Sequence, residues 1–299
     1  MNKIEQTIHN NEIKLAFFIV LITIVIMGLG YMITEILNLG TLGILISLVI
    51  AAGANFISYF FSKDIVLKSQ HAIPMRSEQF PEYCKMVQDM CQRNNIILPE
   101  LYYIECNALN AFATGRNQKN AAVVVTSGLL RTVPLDEISG IVGHELSHIV
   151  HKDILVTSFI TTLIGYVSIL ATTLRTATIY KSSGRNQSTG LIFIVATVAT
   201  ILVPIAGMLI KMAVSRSREY MADATGGQIC GDPRLLAKAL YRISHDGNQM
   251  PMANTATAPL YIANPFKGNA FANLMSTHPD INDRIRRLNE MAEGYRLID

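Results

Sequence analysis

Four long apolar runs limit what this chain can fold into more than any other feature. Leu15 to Ile33, Leu39 to Phe61, Ile154 to Leu174 and Leu191 to Ile210 contain no Asp, Glu, Lys or Arg. Each approaches or passes the roughly 20 residues that an α-helix needs to cross about 30 Å of hydrocarbon. The first run is too long for the apolar core of a cleaved leader, no A-x-A site follows it, and a second run comes straight after. It reads as a retained anchor, and the few residues around Asn38 make the first two runs a hairpin. Charged residues are only 16% of the chain, against about 25% in soluble proteins, which agrees with a lipid setting.

Lys and Arg near the ends of the runs set their orientation. Lys3 and Lys14 precede the first run, Lys63, Lys68 and Arg76 follow the second, and Lys211, Arg216 and Arg218 follow the fourth. The loop inside the first hairpin has none. The N-terminus, residues 62–153 and residues 211–299 are therefore expected on the cytoplasmic side. The loop between the third and fourth runs carries Arg175, Lys181 and Arg185, a smaller basic tally that does not invert this topology. The expected organisation is a transmembrane hairpin over 1–61, a cytoplasmic part over 62–153, a second hairpin over 154–210 and a second cytoplasmic part over 211–299. Ser and Thr in the third run and Pro204 in the fourth suit spans that tilt or pack against protein as well as lipid.

Between the runs the chain reads as mostly α with a small β-sheet. Pro81 to Asn94 has helical periodicity, with Tyr83, Val87, Met90 and Cys91 on one face. Leu101 to Glu105 and Ala121 to Thr126 read as short strands, and Asn107 to Arg116 as an edge strand with a turn at Gly115. A helix capped by Asp136 runs through His144 and His148 toward Lys152 and, because an apolar run follows at once, is expected to continue into the membrane. Helices follow over 216–229, 233–246 and 280–296. The loop Gly247 to Pro279, rich in Asn, Ala, Thr, Pro and Gly, is long enough to be a gate. Cys84, Cys91, Cys106 and Cys230 form no CxxC pair and read as free thiols in a reducing compartment. Net charge is +3, with basic residues scattered singly and no aromatic interleaving, which argues against nucleic acid as a partner.

The chemistry lies in His144-Glu145-Leu146-Ser147-His148. Positions i and i+4 share a helix face, so both imidazoles can reach one ion. Zinc takes imidazole nitrogens at about 2.0–2.1 Å, and a catalytic site uses three protein ligands. HExxH strings occur by chance in many helices. Here Ile141, Val142, Leu146 and Ile149 make the rest of the helix apolar, so two half-buried histidines need a partner, and one Zn2+ per chain supplies it. Glu145 lies beside them as a general base that takes a proton from water and later delivers it to the leaving amine. In Ser215 to Asp223 (SRSREYMAD), Glu219 and Asp223 lie four apart on one helical face. Glu219 completes a His2Glu set, and Asp223 accepts a hydrogen bond from the second nitrogen of His144 or His148. Without the upstream HExxH, the same pair would read as an exposed face bonded to Arg216 or Arg218.

HELSH ahead of an apolar run, SRSREYMAD further along and NAFATG upstream together resemble the HtpX family of membrane metallopeptidases, distant relatives of the CAAX prenyl endopeptidases. The likeness spans most of the chain. It implies an α+β zincin-type catalytic domain with four transmembrane helices, His144, His148 and Glu219 as zinc ligands, and Glu145 as the catalytic glutamate. It also implies a multi-pass protein of the bacterial inner membrane that cuts misfolded or damaged membrane proteins and unfolded chains at the cytoplasmic face. Asn110 to Gly115 would be the edge strand beside the cleft, with Asn110, Ala111 and Phe112 against an extended substrate. The CAAX enzymes carry more spans than four, which argues against prenylated substrates.

His278, in Ser276-Thr277-His278-Pro279, resembles a His-Pro motif of these families and would donate to the oxyanion of the tetrahedral intermediate; read plainly, it is a loop histidine at a helix entry. Arg284 reads as a solvated helix charge, His151 as a surface residue, and Asp153 as a cap or orienting group at the end of the HExxH helix. Two rival readings differ in kind. A site-2-type intramembrane protease buries HExxH inside a span with an Asp as third ligand, whereas Lys152 and Asp153 flank this motif. A catalytically inactive membrane adaptor on the same fold has no need of Glu145, which is intact.

Overall fold

A computed structural model describes residues 9, 12–21, 23–24, 27–28, 40–166, 216–254, 256–266 and 279–295. The fourth apolar run, the end of the third, and His278 lie outside the described residues. The second apolar run forms α1, Gly40–Ser69, of 30 residues. That length rises about 45 Å, more than the hydrocarbon layer requires. The surplus enters the globular part, where Val66 and Leu67 are buried in a cluster with Ile104, Phe112 and Val124. Among the described residues, Thr41–Ser69 is the one helix long and apolar enough to cross a bilayer, with a mean hydropathy of 2.0. Side chains such as Leu45 and Val49 point outward, 61% and 70% exposed, and leave an apolar surface of the kind that marks an interaction site or a membrane. Residues 12–21 are helical, and Leu15 and Phe18 share a cluster with Ala51 of α1. Asn55 Nδ2 donates to Thr23 Oγ1 at 2.8 Å and so joins the two helices.

The sheet has four strands, β1 (Ile73–Pro74), β2 (Glu100–Ile104), β3 (Ala111–Asn117) and β4 (Asn120–Thr126), in the order β1-β2-β4-β3. β2 pairs parallel with β4 and the other pairs are antiparallel. β4 sits inside the sheet and is buried on both faces, as its near-continuous AAVVV run requires. β3 lies at the edge, as expected, but starts at Ala111, because Leu109 N–H donates instead to the Asp246 carboxylate at 2.7 Å. Along β3 the side chains alternate: Ala111 and Ala113 join the cluster beneath the HExxH helix, while Phe112 packs on Tyr261 on the other face.

α2, Pro81–Arg93, buries Tyr83, Val87, Met90 and Cys91, the face its periodicity marks. α3 (Ser127–Thr132) and α4 (Leu135–Val150) follow, then α5 (Asp153–Tyr166), α6 (Arg216–Cys230), α7 (Pro233–His245) and α8 (Ile281–Tyr295). α7 starts on Asp232, whose carboxylate accepts from Arg234 N–H, with Pro233 at its first position. α4 is the central helix, with Ile138, Ile141, Val142, Leu146 and Ile149 all in the main core.

Two expectations need correction. α4 begins after Pro134, and Asp136 is inside its first turn rather than at the cap; there Oδ1 accepts from Glu137 N–H, and the charge complements the helix dipole. The HExxH helix does not run on into the apolar segment. It ends at Val150, Lys152 takes a left-handed φ of 58°, and α5 leaves at an 85° bend. The described part of loop 247–279 is not open chain. Asn254 accepts from Thr257 N–H, Ala258–Leu260 form a 3-10 turn, and Tyr261 is buried with its hydroxyl bonded to Gln70. Ile262 N–H donates to the Ala111 carbonyl at 2.9 Å, so this strap lies along the outer edge of β3.

Candidate metal centre

One turn of α4 brings His144 and His148 together, with their Nε2 atoms 3.1 Å apart. α6 adds Glu219, whose Oε2 lies 3.7 Å from His144 Nε2 and whose Oε1 lies 3.8 Å from His148 Nε2. Tetrahedral ligands at about 2.0–2.1 Å from zinc stand about 3.3–3.4 Å apart. The three donor atoms lie within 4.8 Å of one another, so they can hold one metal ion. Glu219 and Asp223 are each 4% exposed, which removes the reading of an exposed helix face.

The second nitrogen of each imidazole faces a carboxylate. His144 Nδ1 is 2.9 Å from Asp223 Oδ1, and His148 Nδ1 is 3.1 Å from Asp153 Oδ2. A carboxylate accepts, so each Nδ1 carries a proton and leaves Nε2 as the nitrogen that can take a metal. In the metal-free protein His148, raised above neutrality, is protonated there too and faces His144 Nε2 at 3.1 Å. Two imidazole nitrogens and a carboxylate, buried and facing one another, are compatible with a cation between them, the His148 proton in the metal-free protein or a metal ion in its place. The donor set, two imidazoles and one carboxylate, suits zinc.

Burial pushes His144 down to about 4, against the pull of Asp223. For His148 burial also opposes the cation, but the Asp153 hydrogen bond and the Glu219 charge outweigh it and raise the group to about 9. Burial pushes the Glu145 carboxyl up to about 7, against the His148 charge and a hydrogen bond from Ala113 N–H. Asp223 is held well below the usual carboxylate range: burial works against its charge, but the Arg284 guanidinium and the His144 bond prevail. The centre therefore contains one carboxyl near neutrality, Glu145, beside one that stays charged, Asp223, an arrangement typical of acid–base sites.

The cleft over these residues has a volume of about 30 Å³ and is lined by Ala113, His144, Glu145, His148, Arg218 and Glu219, among others. That is room for water but not for a peptide side chain. Pro259, Leu260 and Ile262 of the strap close it.

The structure corrects two further expectations. Arg284 is 1% exposed, not solvated: Nε and Nη2 donate to Asp223 at 2.9 and 2.7 Å, and Nη1 donates to the Ile262 carbonyl at 3.0 Å. His151 is fully buried rather than on the surface, because the bend after α4 turns it inward. The spacing of Ile281, Ile285 and Leu288 puts Arg284 on the apolar face of α8, a signal present in the sequence. Asp153 Oδ2 lies 3.1 Å from His148 Nδ1, and Arg218 Nη1 approaches its other oxygen at 3.4 Å. Of the edge-strand residues, Asn110 brackets the strap through Ala263 and Ala111 bonds Ile262, while the Phe112 side chain points away from the metal centre. Ala113, which touches Glu145, carries no sequence signal that sets it apart from its neighbours.

A family model described as peptidase family M48 matches residues 77–292. Among the relatives is a "Protease HtpX homolog" of Syntrophobacter fumaroxidans, 43% identical over 258 residues, covering 84% of this chain and 91% of the relative. Another of the same name from Paraburkholderia phytofirmans is 41% identical over 292 residues, 96% of this chain and 99% of the relative. The crystal structure of S. mikatae Ste24p is similar at 18% identity and a TM-score of 0.49, over 96% of this chain and 66% of that one, too slight a likeness to argue from.

Proposed function

The chain belongs to peptidase family M48, and on that premise we propose that it is an integral-membrane zinc endopeptidase of the HtpX type. The observation that carries this reading is the convergence of His144 Nε2, His148 Nε2 and the Glu219 carboxylate on one point, with Glu145 beside them. In the proposal those three hold one zinc ion, which when bound polarises a carbonyl and makes water more acidic. Glu145 takes the proton of the attacking water and passes it to the leaving amine. Burial raises this carboxyl in the metal-free protein and a bound cation would draw it back down, which would leave it a base beside the metal. Ala113 N–H holds the carboxylate in place.

Peptides would enter in extended form along β3. Asn110 O accepts from Thr126 N–H across the β3–β4 pair, so by antiparallel alternation Ala111, Ala113 and Gly115 turn their backbone groups away from β4. That outer edge is where a substrate strand would add, and of Asn110, Ala111 and Phe112 it is Ala111 that offers its backbone there. The strap from Pro259 to Ile262 occupies part of it, which supports a gate that substrate must displace.

The wider reading is a four-span protein of the bacterial inner membrane. Its N-terminus and both catalytic parts, 62–153 and 211–299, face the cytoplasm, and it cuts misfolded membrane proteins and unfolded chains there. The long apolar α1, with its outward Leu and Val side chains, supports the membrane part. The test combines metal analysis with casein cleavage by the detergent-purified protein and its Glu145→Ala variant. One zinc on each, with cleavage by the wild type alone, is expected; no zinc and no cleavage by either, even with added metal, overturns the proposal.

A further inference from the structure

Each imidazole of the metal centre is backed by a carboxylate, and each carboxylate by a buried arginine, but the two arms are built differently. On the first arm Arg284 grips Asp223 through two donors, at 2.9 and 2.7 Å, and spends a third on the Ile262 carbonyl. On the second, Asp153 receives Arg218 Nη1 at 3.4 Å, while Arg218 Nε and Nη2 have no hydrogen-bond partner among the described residues. Arg218 is 6% exposed and Asp153 3%. Asp153 is also the first residue of α5, reached across the 85° bend, and α5 packs through Val156, Phe159 and Ile160 against Leu15 and Phe18.

We propose that Asp153, supported by Arg218, is the positioning residue of His148, and that it presets the Nε2 lone pair for the metal from the neighbouring helix. The physical reason is that an imidazole on its own rotates about χ2 and exchanges tautomers. A fixed acceptor at Nδ1 removes both freedoms and makes Nε2 more basic. The bend after Val150 is what allows this, since a straight continuation of α4 would carry residue 153 further along the axis and about 140° around the helix from His148, away from its ring. Buried charge also explains Arg218: a carboxylate as deep as Asp153 needs a cation in reach. Asp153 is the dominant member of the arm, because it touches the ring directly, whereas Arg218 acts on the ring only through Asp153, at 3.4 Å.

The inference rests on the zinc reading above, and the experiment separates the two. Zinc dissociation constants are measured on the full-length, detergent-purified protein by competition with a chelating dye, alongside the melting temperature of the metal-free form. Asp153→Ala is expected to weaken zinc about 10- to 100-fold, the usual effect of removing such a partner. Metal-free melting falls as well, because Arg218 is left buried without its anion. The double variant Asp153→Ala/Arg218→Gln, which removes both charges, keeps the zinc defect with metal-free melting recovered. Asp153→Asn, which keeps an acceptor without the charge, retains part of the affinity, and Arg218→Gln loses less than Asp153→Ala. Wild-type zinc affinity in Asp153→Ala, or in the Asp153→Ala/Arg218→Gln double variant, overturns the proposal. Should the alanine variant not fold, Asp153→Asn decides on the same terms. Absence of zinc from the wild type would instead overturn the metal reading, and this inference with it.

Discussion

The backbones of Gly143 and Gly226 are in contact: a Cβ on Gly143 would lie 2.5 Å from the Gly226 carbonyl oxygen, and one on Gly226 only 2.6 Å from His144 N. This is where α6 crosses α4, and it is what brings Glu219 within ligand distance of both histidines. Any side chain here separates the helices. Gly226→Ala is expected to destabilise the fold by about 1–3 kcal/mol through overpacking and to weaken zinc binding as well. Gly247→Ala, where a Cβ meets nothing within 4 Å, serves as control. Thermal unfolding with and without metal reads both effects, and an unaltered Gly226→Ala protein would contradict the close crossing.

Replacing Glu145 by Gln keeps shape and hydrogen bonding but removes the base. Casein cleavage is expected to fall by about 100- to 10,000-fold, the range for general-base loss, while zinc content is retained. Loss of zinc in parallel would mean that Glu145 holds the site together rather than moving a proton.

The raised pKa of Glu145 has a consequence for the metal-free protein. Its folded value, about 7, lies above the ordinary value of a free glutamate, 4.5. The contribution to stability is therefore fully present below about 4.5 and is lost as pH rises through 7. Metal-free Glu145→Gln should exceed the wild type in melting temperature at pH 8, and the difference should vanish near pH 4. A gap that is constant with pH would show that burial does not raise this carboxyl.

Removing Arg284 leaves the buried Asp223 charge without its partner. Arg284→Ala is expected to cost about 3–5 kcal/mol, seen by chemical denaturation. Arg284→Lys should recover only part of it, since an ammonium cannot bridge both Asp223 oxygens and the Ile262 carbonyl. Wild-type stability in the alanine variant would mean that Asp223 is neutral in the folded state.

Tyr261 anchors the strap through its hydroxyl on Gln70. Tyr261→Phe loosens that anchor without changing the ring contact with Phe112. If the strap is a gate, casein cleavage should rise a few-fold with zinc affinity unchanged. Equal rates in variant and wild type would remove the gate.

Much of the fold was legible because local pattern and burial agree. The apolar face of α2, the AAVVV strand β4 and the Asp232-Pro233 start of α7 carry their structure in adjacent residues. The bend after Val150 was not legible, since nothing in HKDIL distinguishes a continuing helix from one that stops at a left-handed lysine. The burial of His151 was hidden for the same reason. Arg284 was misread because a charge on a helix is usually solvated, and only its place among Ile281, Ile285 and Leu288 argued otherwise.

By itself, the sequence determined which residues are able to bind a metal and move a proton. HExxH places two imidazoles on one helix face through the 3.6-residue repeat, and EYMAD places two carboxylates on another, because helical spacing is a local property. Only the tertiary structure decided which carboxylate serves which histidine. Asp223 comes from α6 to His144, and Asp153 comes across the bend to His148. Their arginines stand 61 and 65 residues from them in the chain. Those pairings depend on a glycine crossing, a bend and a strap, and each is set by packing between distant segments.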